Sequence, residues 1–303
     1  MNLPAYPDHN TIQTVKRGAP VMAEYLTQHV HSFLIDVFRL CLWLVILTVI
    51  FVPLERLFAQ KREKILRKDI GADLAYYFVN SLLPAVLMSV PLGLAAWAVH
   101  RLVPAGFLAT VGGQPFWTRM IAALVVAETG YYWGHRMMHQ VPALWRFHSV
   151  HHSATHIDFL VNTRAHPIDM VFGRLCGTIP LYVVGLAVPA GAAAGTLPVL
   201  ITLAGTVWGF FIHANVNWRL GPLEWLITSP AFHHWHHTLS EPIDHNYAST
   251  LPWLDFIFGT FHLPKRQWPS DYGIKETMPH ALSAQLVEPL LEPAPWPPPQ
   301  LAA

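Results

Sequence analysis

Fourteen of the nineteen histidines fall between His135 and His262, and most stand in three tight groups. These are His135-Arg-Met-Met-His139, His148-Ser-Val-His151-His152 and His233-His234-Trp-His236-His237. On a helix, residues three and four apart share a face, so each group can aim several imidazoles at one point. His135 and His139 stand at i and i+4; His148, His151 and His152, and again His233, His236 and His237, stand at i, i+3 and i+4. Three such faces suffice to hold two metal ions. A lone histidine is more often an ordinary surface or core residue. A set this dense differs, because packed imidazoles repel one another when protonated and leave donors unpaired when neutral, unless a cation organises them. Imidazole suits zinc, copper, iron and nickel. The two cysteines, Cys41 and Cys176, lie in apolar runs, so the ligands must come from histidine.

The elements that have to position these groups read as membrane helices. The chain is 53% hydrophobic and 12% charged, with a mean hydropathy of +0.34, which is the composition of a membrane protein. Its net charge of +1 says nothing about partners. Stretches 33–54, 74–99, 117–134, 168–188 and 197–212 approach or exceed the roughly twenty apolar residues a spanning helix needs. About five passes are expected, the second holding Pro84 and Pro91 and so kinked, tilted or folded back as a hairpin. A polar arm of some thirty residues precedes the first pass, which argues against a secretory signal. The loop 56–68 carries Arg56, Lys61, Arg62, Lys64, Arg67 and Lys68, whereas the turn 189–196 has no base, so the basic loop is expected to be cytoplasmic. Counting passes from there puts 135–166 and everything after His213 on that same face.

The expected architecture is an all-α, polytopic membrane bundle of four to five transmembrane helices, with a cytoplasmic helical cap carrying a histidine-ligated dimetal site. Its expected parts are an N-terminal arm (1–32), a transmembrane bundle with the first two histidine groups (33–217), a cap with the third (218–287) and a proline-rich, disordered or extended tail (288–303). The cap is dense in aromatics, as expected of a surface lying against headgroups. Gly173-x3-Gly177 and Gly205-x3-Gly209 read as marks of close helix packing. Two structural zinc ions would also use eight histidines, so ligand count alone leaves a structural role open. Placement where passes leave the bilayer argues instead for redox chemistry on a lipid chain.

The order and spacing of the three groups resemble the signature of the sterol desaturase and fatty acid hydroxylase superfamily. The resemblance extends to Asn162-Thr-Arg164-Ala-His166-Pro167, to His213-Ala-Asn215 at the end of the last apolar stretch, and to Asp244-His-Asn246-Tyr247 with Trp253-Leu-Asp255 and Phe258-Gly259-Thr260. It covers roughly 128–264. It implies an integral-membrane enzyme with a non-haem di-iron centre that uses O2 and two external electrons to attack an unactivated C–H bond of a lipid, hydroxylation and desaturation both being outcomes in the family. Carried over residue by residue, the implied ligands are His135, His139, His148, His151, His152, His213, His233, His236 and His237. His234 stays outside this set, and Asn217 stands where some members have a further histidine, so a tenth contact is weaker or water-bridged. Zinc or another metal can replace iron in purified protein, because an all-nitrogen site discriminates poorly.

Glu128 is an acid within an apolar stretch, seven residues before His135 and so on nearly the same face. It reads as an acceptor that fixes a ligand's tautomer, with direct ligation the alternative. Arg164, His166, Asp169 and Asp244 brace ligands, bind a headgroup or form structural pairs. His156, His245 and His262 lie near the groups in sequence only, and Asn246 and Tyr247 shape a turn beneath the third. No His-Pro-Gly-Gly segment of a fused cytochrome b5 domain is present. Electrons are therefore expected from a separate cytochrome b5-like or ferredoxin-like carrier docking near the basic loop. The leading expectation is hydroxylation of a fatty acyl or other lipid chain, with desaturation second. A metal transporter, which would carry ligands near the bilayer midplane and inverted repeats, and a catalytically silent scaffold are the alternatives of other classes.

Overall fold

The computed structural model describes residues 31–187 and 196–291, and is all-helical there, without a strand. The helices are α1 (Ser32–Leu57), α2 (Ile70–Leu102), α3 (Ala105–Gly112), α4 (Phe116–Gln140), α5 (Pro142–His152), α6 (Pro167–Val183), α7 (Thr196–His213), α8 (Pro230–His236), α9 (Trp253–Ile257) and α10 (Leu282–Leu291). Short 3-10 turns cover Phe159–Thr163 and Gly221–Trp225. The chain divides into two units, Met1–Val49, described only over the beginning of α1, and Ile50–Ala303, which holds everything discussed below. The N-terminal arm, the 189–195 turn and residues 292–303 of the expected tail lie outside the described residues.

Among the described residues, α1 and α2 are the helices long and apolar enough to cross a membrane, and the apolar part of α7 (Leu197–His213) is shorter. The stretches 117–134 and 168–188 lie largely within α4 and α6. Proline was expected to kink or fold the second stretch. It is one helix of 33 residues with Pro84 and Pro91 inside, about 50 Å long at 1.5 Å per residue. Residues 288–291 were expected in an extended tail, yet they form the last turn of α10. The face with Gln285 and Pro289 is buried there, and burial of that face outweighs the helix-breaking tendency of one proline. Arg67, one of the six bases of the 56–68 loop, is buried in ion pairs with Asp73 (2.7 Å) and Asp158 (2.6 Å).

Close packing of α4 on α6 brings the first two histidine groups into range of each other. A Cβ on Gly130 would collide with the carbonyl of Cys176, one on Gly134 would lie 2.6 Å from the Cys176 Cβ, and one on Gly177 would lie 3.2 Å from the Ala127 carbonyl. Gly173 and Gly177 therefore do mark a helix contact. The second expected pair does not, because a Cβ on Gly205 meets nothing within 4 Å and one on Gly209 would strike the Asn162 side chain. Gly130→Val should lower the stability of the detergent-solubilised protein by about 1–3 kcal/mol, the usual range for overpacking. Gly205→Ala should leave the melting midpoint unchanged or slightly raised; equal losses in the two variants would show that α4 and α6 do not approach this closely.

Candidate metal centre

Local sequence dictates where each histidine ends up. His135 and His139 occupy the last turns of α4. Val141-Pro142 then turns the chain, with proline at the first helical position where it lacks nothing, and α5 ends on His148, His151 and His152. His213 closes α7. Ser229 accepts from the Phe232 amide as the cap of α8 (3.2 Å), and that helix carries His233 and His236 with His237 as its final cap.

All nine histidines converge in two buried groups. His135, His139, His148, His152 and His236 form one, and His151, His213, His233 and His237 the other; within each, the ring nitrogens lie within 4.8 Å of one another. The three sequence motifs do not map onto the groups one to one. His151 and His152 are neighbours in sequence yet belong to different groups, as do His236 and His237, because consecutive residues on a helix turn about 100° apart.

The second nitrogens explain the orientation. His135 Nδ1 donates to the Tyr247 carbonyl (2.7 Å), His151 Nδ1 to that of Arg164 (2.9 Å), His213 Nδ1 to that of Gly209 (2.7 Å) and His236 Nδ1 to that of His245 (2.8 Å). Carboxylates serve the other two, Asp244 accepting from His139 (3.0 Å) and Asp169 from His148 (2.9 Å). With the proton fixed on Nδ1, each Nε2 presents a lone pair.

Those lone pairs face each other. Nε2 of His148 lies 3.1 Å from that of His135 and 3.2 Å from that of His139. In the other group His213 Nε2 lies 3.3 Å from His151 Nε2 and 2.9 Å from His233 Nε2, with His237 Nε2 3.1 Å from His233 Nε2. In the His135–His148, His139–His148 and His151–His213 pairs both rings keep the proton on Nδ1, so no proton lies between the two acceptors and no hydrogen bond forms. Around a tetrahedral ion with metal–nitrogen bonds of about 2.0–2.1 Å, neighbouring ligand nitrogens stand about 3.3 Å apart, which is the spacing found. Nε2 of His152 and of His236 are buried without a hydrogen-bond partner. Burial, reinforced by neighbouring imidazoles, holds His152 and His237 well below the usual histidine range, and it takes His236 to about 3 and His151 to about 4. These four rings are thus neutral, as metal ligands must be. This donor set fits two first-row transition ions.

Other expectations change. Glu128 accepts from Ser249 Oγ (3.0 Å), Thr250 N (2.5 Å) and Leu251 N (3.4 Å), so it touches no histidine and neither fixes a tautomer nor joins a group. It anchors the segment just beyond Tyr247, whose carbonyl orients His135. Asn217 is exposed and its amide donates to the Phe58 carbonyl (2.8 Å), which does not support a tenth contact. His234 accepts from the Tyr272 hydroxyl (2.9 Å) and donates to the Ala214 carbonyl (3.1 Å), facing away from both groups. His166 caps α6 and donates to the Leu286 carbonyl (3.1 Å). Neither group includes His156, His245 or His262. Asn246, at φ 61°, donates to the Phe232 carbonyl of α8 (2.9 Å), giving the expected turn beneath the third motif.

Several contributors had no sequence signal. Asp73 pairs with Arg67 and with Arg164 (3.0 Å), fixing the residue whose carbonyl holds His151. Asn80 donates to the Thr163 (2.9 Å) and Ala165 (2.7 Å) carbonyls on either side of it. Trp145 lies tilted against His139 and His152, with ring centroids 5.3 and 5.7 Å away. A cavity of about 50 Å³ opens onto the five-histidine group at His139, His152 and His236, and its lining includes no member of the four-histidine group.

A buried, carboxylate-braced polyhistidine site of this form defines a class of membrane-associated dimetal proteins. A profile described as fatty acid hydroxylase matches residues 120–260. The chain is 37% identical to ornithine lipid hydroxylase OlsE of Rhizobium tropici over 178 residues, 58% of this chain and 51% of that protein. It is 35% identical to human alkylglycerol monooxygenase over 146 residues, 48% of this chain and 31% of that protein. With methylsterol monooxygenase 2-2 of Arabidopsis thaliana it shares 29% over 188 residues, 57% of this chain and 64% of that protein. The chain thus spans from about a third to less than two thirds of these relatives. No solved structure matches it. Through its histidine-bearing region the chain belongs to the sterol desaturase and fatty acid hydroxylase superfamily.

Asp169→Asn should weaken metal retention about 10- to 100-fold, the usual effect of removing a carboxylate behind a ligating histidine. Titration with a competing chelator followed by metal analysis would measure it; unchanged retention would mean that Asp169 does not orient His148. Glu128→Ala should lower thermal stability and metal content together, because it releases the segment that orients His135.

Proposed function

We propose that the protein is an O2-dependent di-iron enzyme of the membrane that oxidises an unactivated C–H bond of a lipid, in the first place as a hydroxylase of a fatty acyl or other lipid chain. The observation that carries this reading is the convergence of nine buried imidazoles in two groups, in a chain whose relatives include a lipid hydroxylase and lipid monooxygenases. Desaturation is the second reading. Nothing in the geometry favours a transporter, whose ligands belong near the bilayer midplane.

In this reading His135, His139, His148, His152 and His236 hold one ion and His151, His213, His233 and His237 the other. When bound, an iron pair supplies the redox chemistry by which O2 and two external electrons break the C–H bond. The chain's own part is to hold the ligand set rigid through Asp169, Asp244 and the four carbonyls, and to keep bulk water from the buried rings. His234, His166 and Arg164 serve the scaffold behind the ligands. The electron donor is a separate carrier, cytochrome b5-like or ferredoxin-like, that meets the protein on the face bearing the basic loop. The charge bias of the loops supports a cytoplasmic active site, and the apolar stretches in α4, α6 and α7 support four to five passes in all.

Cells producing the wild-type protein should contain a lipid heavier by one oxygen atom, absent with His151→Ala, and mass spectrometry of total lipids reads this directly. A lipid lighter by two hydrogens would instead assign desaturation. An unaltered lipid profile with a fully iron-loaded protein and a competent electron donor would rule out the reading.

A further inference from the structure

Two short stretches of the C-terminal part turn their apolar side chains outward. Leu223, Trp225 and Leu226, on and just after the Gly221–Trp225 turn, and Phe256 and Ile257 of α9 are each more than half exposed. The Trp225 and Phe256 rings meet edge to face at 5.5 Å, so these five residues form one patch. No charged side chain is exposed between 220 and 228 or between 251 and 260. The two acids there point inward. Glu224 accepts from Ser229 Oγ (2.7 Å) and pairs with Arg219 (3.2 Å), while Asp255 accepts from the Tyr247 (2.7 Å) and Ala248 (2.9 Å) amides. The stretch 265–275, by contrast, exposes Lys265, Arg266, Asp271 and Lys275. Surfaces that face water rarely gather apolar side chains in this way.

The patch lies beside the apolar lengths of two helices. Trp208 of α7, five residues and about 7 Å short of the helix end at His213, donates from Nε1 to Thr228 Oγ1 (2.8 Å). Glu128 of α4, twelve residues and about 18 Å short of the helix end at Gln140, accepts from the Thr250 amide (2.5 Å). Leu124 and Val125 of α4 pack on the cluster of Leu251 and Leu254, as do Trp253 and Phe258. The Phe258 ring also meets Trp133, which is exposed on α4, at 4.9 Å. The patch therefore continues the outer apolar face of α4. Its backbone suits contact with lipid, where an unmatched amide is costly. Pro222 and Pro252 have no amide hydrogen, Leu226 and Ile227 donate to the Leu223 carbonyl (2.9 Å each), and Phe258 donates to that of Leu254 (2.9 Å). We propose that this patch is a re-entrant surface immersed in the acyl chains of the leaflet on the side of the histidine groups, with Trp225, Leu226, Phe256 and Ile257 in direct contact with lipid. It sits deeper than a cap resting on headgroups would. The inference rests on the reading of α4 and α7 as membrane passes, and adds a lipid contact made by segments that do not span.

Ile257→Cys, Leu226→Cys, Val207→Cys and Lys265→Cys, each in a Cys41→Ala background, would carry a nitrobenzoxadiazole label in metal-loaded protein reconstituted into phosphatidylcholine vesicles. All four positions are exposed, and Cys176, packed where a Cβ on Gly134 would lie, stays in place. Metal content equal to that of the wild type shows that each variant is folded. Quenching by phosphatidylcholines with a nitroxide at two positions along the chain gives depth, and quenching by iodide gives access to water. Labels at 257 and 226 should report a depth of about 5–10 Å beneath the boundary of headgroups and acyl chains and resist iodide, whereas the label at 265 should answer to iodide alone. A label at 257 that iodide quenches and chain nitroxides do not would overturn the proposal. Shielding from both quenchers would overturn it too, since a protein surface such as a second copy would then cover the patch. The label at 207 keeps the two readings apart. In lipid, alongside a label at 257 in water, it leaves the passes standing and removes the re-entrant surface; in water, it strikes the reading of α7 as a pass, and the labels at 257 and 226 still decide the patch.

Discussion

Everything in this protein is arranged around an electrostatic conflict: nitrogen lone pairs buried face to face. Five Nε2–Nε2 separations fall between 2.9 and 3.3 Å. Six of the nine rings have Nδ1 bonded to a carbonyl or carboxylate, so in three of these contacts, His135–His148, His139–His148 and His151–His213, no proton is left to share across the gap. Neutral acceptors buried against one another lose hydration and gain nothing unless a cation sits among them. Protonation gives no relief, since burial and neighbouring rings hold His151, His152, His236 and His237 far below their ordinary values. A metal ion removes the conflict and turns the same arrangement into a source of folding energy.

The surrounding scaffold exists to keep that arrangement from relaxing. Arg67, Asp73, Arg164 and Asp158 form a buried chain of ion pairs, and its far end is the residue whose carbonyl holds His151. Ion pairs so deeply placed contribute little net stability compared with apolar packing. What they supply here is position, because a carbonyl anchored by Arg164 and by Asn80 on either side has little room to rotate. Asp255 does the same beneath the third motif, accepting from the amides of Tyr247 (2.7 Å) and Ala248 (2.9 Å) and so setting the carbonyl that meets His135. Glu128 continues this line one turn further along the segment.

The two histidine groups are not equivalent. The four-histidine group takes a ligand from the end of α7 and is braced only by backbone carbonyls, at His151 and His213. The five-histidine group is braced by two carboxylates and borders the cavity. A carboxylate behind an imidazole makes it a stronger donor than a carbonyl does. The ion nearer the cavity would therefore be held by more, and more basic, ligands than its partner.

The motifs themselves were legible in the residues, because helical spacing of three and four forces histidines onto one face wherever the segment is helical. So was the apolar character of the segments that deliver them, and the exclusion of cysteine as a ligand. How the rings divide was not legible. His151 and His152 part company, and so do His236 and His237, because consecutive residues turn about 100° apart and helices from other parts of the chain meet each of them from a different side. The true partner of Glu128 escaped the sequence for the same reason: a seven-residue spacing points toward His135, but tertiary packing brings the 249–251 amides closer. Proline in α10 misled because local propensity is weak against burial of a helical face. Spacing along a helix is local geometry, fixed by residues a few positions apart, whereas the bonds that orient His135 and His139 join them to Tyr247 and Asp244, more than a hundred residues away, which only the folded chain decides.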